Sequence, residues 1–132
     1  MSDKNAERLR NIDTCAVSDA LDALGLKGTV MGLGSISVLK RIAGRVQTVK
    51  LGEASPDIPK KHLCSSAVDA AEPGDVIVVE NHATDIAAGW GGILSTAAAA
   101  KGLSGTIVDG PARDADESRD VDFPVFARAA TP

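Results

Sequence analysis

Residues 75–110 read DVIVVENHATDIAAGWGGILSTAAAAKGLSGTIVDG, and this stretch decides the fold. Val76, Ile77, Val78 and Val79 form an unbroken apolar run, the pattern of a strand covered on both faces rather than one alternating between core and water. A second strand-like run, GTIVDG, occupies 105–110. Between them WGGILSTAAAAKG carries the helix-favouring alanines 97–100 and stops at Gly102, a residue suited to the left-handed turn that ends a helix. A strand, a crossover helix and a strand in so short a span predict a right-handed parallel unit, and hence an α/β protein.

The neighbouring segments extend this pattern in both directions. HLCSSAVDAAEPGD at 62–75 predicts a helix closed by Pro73 and Gly74, and GEASPDIPKK at 52–61 a proline-bearing loop. Val46, Thr48, Val49 and Leu51, with the glycines before them, suggest turns and strands over 26–51. DKNAERLRNI at 3–12 reads as a short helix. DTCAVSDALDALG at 13–25 reads as a second, with Asp13 as N-cap, Gly25 just past the end, and Ala16, Val17, Ala20, Leu21 and Leu24 at helical spacing. After the second buried strand, ARDADESRDVD is a polar turn or short helix and FPVFARA a last strand.

The 132 residues suit one domain, 1–132, with a modest core. Hydrophobic residues make up 44% and aromatic ones 2%, so the core is expected to be aliphatic, without the stacking platforms that bind single-stranded nucleic acid. The net charge of −4 argues the same way: Lys40, Arg41, Arg45, Lys50, Lys60 and Lys61 read as a solvated surface rather than a nucleic-acid patch. Cys15 and Cys64 have neither a disulfide framework nor metal-ligand spacing. The polar start MSDKNAERLRNI and the lack of an apolar run of ~20 residues predict a cytoplasmic protein without a membrane segment.

Ligands of parallel α/β sheets gather beyond the carboxyl ends of the strands. Beyond the first strand lie Trp90, Gly91 and Gly92 at a helix start, followed by Ile93 and Leu94. Exposed amides there could hold a carboxylate or phosphate, or the glycines could simply allow close packing. Beyond the second strand come Arg113 and Asp114. Arginine grips carboxylates and enolates by charge-assisted hydrogen bonds, and aspartate is a hard oxygen ligand for Mg²⁺ or Mn²⁺; a surface ion pair is the plain alternative. His62 and His82 are weaker candidates, as bases or as capping and solvated residues. Ser65 and Ser66 lack a nucleophile elbow, and GLGS at 32–35 lacks the context of a dinucleotide fingerprint.

TCAVSDALDALG, AAEPGDVIVVEN, AGWGGILSTAAAAKGLSGTIVDGPARD and DFPVFARAATP together resemble the RraA-like family, most specifically in the G-x-x-x-D-G-x-x-R-D pattern from Gly105 to Asp114. The resemblance implies a swivelling β/β/α-type sandwich with a central, partly parallel sheet, assembled as homotrimers or hexamers with sites between subunits. It implies aldolases acting on 4-hydroxy-4-methyl-2-oxoglutarate and 4-carboxy-4-hydroxy-2-oxoadipate, and regulators that bind a ribonuclease. By the aldolase pattern, Arg113 would bind pyruvate and stabilise its enolate, Asp114 would hold Mg²⁺ or Mn²⁺, and the amides of Gly91, Gly92, Ile93 and Leu94 would hold the substrate carboxylate.

The chain departs from the pattern at Gly92, where many members carry an acid that orders metal-bound water; Asp85 is a candidate to compensate, although its register is not the family's. Members usually continue past ATP with further strands, so the expectation is either a fragment or a short member that lacks them and has an incomplete catalytic set. The resulting expectation is a class II pyruvate aldolase with oxaloacetate decarboxylase side activity, the alternative being a non-catalytic ribonuclease regulator.

Overall fold

The computed structural model describes residues 3–53, 56–57, 60–81 and 87–131. Its centre is the parallel pair read from the opening stretch: β3 (Val76–Glu80) lies beside β4 (Gly105–Ala112), with Val76 opposite Gly105 and Glu80 opposite Asp109. The crossover between them contains α4 (Gly92–Ala100), and Gly102 at φ +76 ends the turn beyond it. The other segments are α1 (Lys4–Arg10), α2 (Thr14–Ala23), β1 (Gly34–Ser35), β2 (Val46–Lys50), α3 (Leu63–Ala70), α5 (Ala115–Asp120) and β5 (Val125–Ala130). The sheet order is β1-β5-β4-β3-β2, parallel throughout except where β1 meets β5. The architecture is thus a mixed α/β one around a mostly parallel five-stranded sheet.

The core follows from composition. Ile77, Val79, Val108 and Val125 are fully buried. Trp90 and Phe123 supplement the aliphatic interior and stack at 6.2 Å between ring centroids. At the end of α2, Gly25 has φ +69, while Leu26 donates to the Leu21 carbonyl and Gly25 to that of Asp22. That is the Schellman arrangement expected of a glycine just past the last turn. Asp13 caps the other end by accepting from the Ala16 amide at 2.8 Å. The helical spacing in α2 is real, yet none of its residues is buried: Val17 and Leu21 are half-buried, Leu21 beside Gly28, while Leu24 is exposed.

One boundary shift matters for function. The predicted strand ends at Gly110, but β4 continues through Pro111 to Ala112, with a register irregularity against β5 between Val108 and Pro111. Proline within a sheet is accommodated at such an irregularity because it lacks the amide a regular ladder requires. Gly110, at φ +157, passes so close to Asn81 that a Cβ would lie 2.8 Å from its carbonyl oxygen. The extension carries the chain past the end of β3 and delivers Arg113 beside the start of α4.

Candidate active site

The loop before α4 and the end of β4 are stitched by backbone. Gly89 donates to the Pro111 carbonyl at 2.9 Å and Arg113 to that of Trp90 at 3.0 Å. The two sequence-predicted loops therefore form one wall, bordering a cleft of about 460 Å³ lined by His62, 87–94, Arg113 and Asp114. His82 and Asp85 lie outside the described residues.

Asp114 is held from several directions. It occupies the N-cap position of α5 in the left-handed region, φ 55 and ψ 44, and makes no side-chain cap to its own helix. Aspartate tolerates this region better than most residues. Its Oδ2 instead accepts from the Gly92 amide at the start of α4, at 3.0 Å, and from Arg113 Nε at 3.2 Å. The Gly92 amide and the Arg113 guanidinium hold its carboxyl below the usual value of 3.8, against the opposing effect of burial. The remaining carboxylate oxygen, Oδ1, has no hydrogen bond among the described residues.

A buried relay fixes the backbone beneath this carboxylate. Trp90 Nε1 donates to Ser95 Oγ at 2.9 Å, Ser95 Oγ lies 2.7 Å from Ser118 Oγ, and Ser118 Oγ donates to the Asp114 carbonyl at 3.2 Å. Ser95 and Ser118 are 0% and 1% exposed, so these hydroxyls satisfy one another away from water, and α4 and α5 are locked together. Neither serine is conspicuous in the sequence; only their place one turn into successive helices would have suggested the contact.

The plain alternative for Arg113, an ion pair at a strand end, is present: Nε contacts Asp114, with the two side chains 57% and 31% exposed. The pair occupies only Nε, however. Both terminal nitrogens of Arg113 are without protein hydrogen bonds among the described residues, leaving the planar fork that binds carboxylates available to a ligand.

The glycines have a steric reason. A Cβ on Gly91 would lie 2.7 Å from Asp114 Oδ2, and one on Gly92 only 1.7 Å from Glu117 Oε2. Space at position 92 is thus filled by a carboxylate arriving from α5, which sequence reading did not anticipate. The Gly92 amide, expected to be free for a ligand, is committed to Asp114; those of Ile93 and Leu94 remain in the first turn, where no carbonyl four residues back within the helix can reach them. The Ile93 side chain is turned to solvent, 85% exposed. His62, which also lines the cleft, caps α3 through its Nδ1.

Among the described residues no group of three or more His, Cys, Asp or Glu side chains converges as a metal cage. The donor set nevertheless fits one hard cation: Mg²⁺ is commonly bound through one or two carboxylates, with water and substrate oxygens supplying the rest, and Asp114 Oδ1 offers such a carboxylate oxygen.

Residues 14–132 match the profile of the RraA-like family, described as Aldolase/RraA. A relative named putative 4-hydroxy-4-methyl-2-oxoglutarate aldolase, from Halalkalibacterium halodurans, is 32% identical over 124 residues, covering 94% of this chain and 56% of that protein. A crystal structure of an uncharacterized protein from Pseudomonas syringae pv. tomato superposes with a TM-score of 0.85 at 30% identity, over 99% of this chain and 58% of that one. The RNA-processing inhibitor RraA from Thermus thermophilus gives a TM-score of 0.69 at 29% identity, over 87% and 67%. The chain spans about half the length, or less, of the curated relatives that match most of it.

Proposed function

The chain belongs to the RraA-like family, and from that premise we propose that it is a divalent-metal-dependent pyruvate aldolase. Its substrates would be 4-hydroxy-2-oxo diacids such as 4-hydroxy-4-methyl-2-oxoglutarate, with oxaloacetate decarboxylation as a side activity. The observation that carries the reading is the division of labour in the Arg113–Asp114 pair. Arg113 Nε and the Gly92 amide orient one carboxylate oxygen of Asp114, while Asp114 Oδ1 and the terminal nitrogens of Arg113 stay available on one cleft wall. The aldolase name of a relative 32% identical to this chain supports it.

The chemistry asks for an anion stabiliser. In retro-aldol cleavage the C4 hydroxyl loses its proton, C4 becomes a carbonyl, the C3–C4 bond breaks, and its electron pair leaves as the enolate of pyruvate, which is then protonated at C3. Arg113 binds the pyruvate carboxylate and faces the oxygen on which the enolate charge develops, a preorganised positive group where charge appears. The Ile93 and Leu94 amides add the partial positive charge of a helix start. Asp114 would hold Mg²⁺ or Mn²⁺, which when bound supplies Lewis-acid polarisation of the 2-oxo group. Loss of CO₂ from oxaloacetate yields the same enolate, hence the side activity.

The family resemblance points to a homotrimer or hexamer, in which the exposed apolar side chains of Leu24, Leu26, Val30, Met31 and Leu39 would find contacts; light scattering after size exclusion tests this. The similarity to an RNA-processing inhibitor supports a second reading, a regulator binding a ribonuclease, for which pull-down at micromolar concentration is the test. The aldolase reading is tested by a lactate-dehydrogenase-coupled assay for pyruvate. Release from a 4-hydroxy-2-oxo diacid should require Mg²⁺ or Mn²⁺ and stop with chelator, whereas a rate no greater than that of metal alone would end the proposal.

A further inference from the structure

His62 lines the same cleft as Arg113, and its hydrogen bonds define the form of its ring. His62 stands at the N-cap of α3, where Nδ1 accepts the Ser65 amide at 3.2 Å and lies 3.1 Å from Ser65 Oγ. A backbone N–H can only donate, so Nδ1 must present its lone pair and the ring proton resides on Nε2. Among the described residues Nε2 has no hydrogen-bond partner. The imidazole is thus a neutral donor held in one tautomer by a helix start.

The other lining side chains do not offer this. Trp90 directs its Nε1 inward to Ser95, Asp114 is an acceptor, and the rest of the described lining apart from Arg113 is glycine or apolar. The described cleft therefore has a strong anion-binding fork in Arg113 and, apart from it, a single uncommitted side-chain donor in His62.

Resting on the aldolase reading above, we infer that His62 Nε2 binds the distal carboxylate of a 2-oxo diacid while Arg113 holds the pyruvate half, so that His62 determines preference for diacids over monoacids. A neutral donor suits this role: it recognises the second carboxylate by a charge-assisted hydrogen bond without adding a second fixed cation that would bind any anion. His62 here is a specificity-determining residue and takes no part in bond breaking.

His62→Asn separates this role from capping, because asparagine is among the best N-cap residues but its short amide is drawn to the helix start and gives up the reach of Nε2. Binding is measured by calorimetry with 2-oxoglutarate as the diacid probe and pyruvate as the monoacid, in Mg²⁺, alongside Arg113→Ala. The wild type should prefer 2-oxoglutarate by about tenfold, the ratio of one charge-assisted contact worth ~1.4 kcal/mol. His62→Asn should bring that ratio close to one with pyruvate affinity and unfolding midpoint unchanged, and Arg113→Ala should weaken both ligands. A wild type without diacid preference, a His62→Asn protein that retains it, or equal weakening of both ligands overturns the inference while leaving the aldolase reading standing. A wild type that binds neither ligand, or an Arg113→Ala protein that binds both normally, instead removes the reading on which the inference rests.

Discussion

Replacing Gly91 with alanine leaves every polar group of the site in the chain and displaces one of them. Gly91 has φ −150 and ψ −176, extended backbone that any residue adopts, so the substitution acts through contact alone. The new Cβ would lie 2.7 Å from Asp114 Oδ2, whereas Arg113 Cγ and Nε at 3.5 and 3.6 Å are ordinary neighbours. The carboxylate must therefore swing away, breaking its bonds to the Gly92 amide and Arg113 Nε. Hydrogen bonds to a charged group contribute ~1.5–3 kcal/mol each when shielded. With the two side chains 31% and 57% exposed, solvent screening lowers the combined loss to about 1–2 kcal/mol. A urea midpoint measures this, and carboxyl-carbon NMR follows Asp114 itself. Because its folded pKa lies below 3.8, its contribution is complete above that value and disappears as pH falls through the lower folded one. The stability gap between wild type and Gly91→Ala should close in acid, and the variant's Asp114 should titrate nearer 3.8. An unshifted titration with unchanged Mn²⁺ affinity would refute the steric reasoning.

The remaining expectations concern the fork, the relay and the thiols. Arg113→Lys should lower pyruvate release about 100-fold, since lysine lacks the planar fork, while changing the urea midpoint little; equal turnover would show that a point charge suffices. Ser95→Ala leaves the Trp90 Nε1 donor and Ser118 hydroxyl without their common partner and should cost ~1–3 kcal/mol; a loss below ~0.3 kcal/mol by the same denaturation would mean the relay is not structural. Burial pushes the Cys64 thiol up to about 11, and Cys15 is exposed, so iodoacetamide at pH 8 should label Cys15 first by mass spectrometry. Faster labelling of Cys64 in the folded protein would contradict its placement in the core.

The parts of this structure that could be read from the sequence are those dictated by local chemistry. The apolar run at 76–79, the alanines of α4 and the stop at Gly102 are local properties, and they sufficed to predict a parallel pair with a helix between. Asp13 and Gly25 marked the ends of α2 for the same reason. What escaped reading depends on contacts distant in sequence. The extension of β4 through Pro111 exists because β5 and the Gly89 amide accommodate it. The Gly92 amide, legible as a donor at a helix start, could not be seen to be taken by Asp114, nor position 92 to be filled by Glu117. The helical stripe of α2 was read correctly, but periodicity says only that a face is apolar and not whether this chain covers it.

The central claim is that Arg113 and Asp114 act as a pyruvate-forming unit, and the pyruvate released from oxaloacetate in Mn²⁺ tests it most directly, comparing wild type with Asp114→Asn. The substitution keeps the size of the side chain and removes the charge that would anchor the cation. Release by the wild type should exceed the Mn²⁺ background and collapse to it in Asp114→Asn; equal rates in the two proteins would contradict the account.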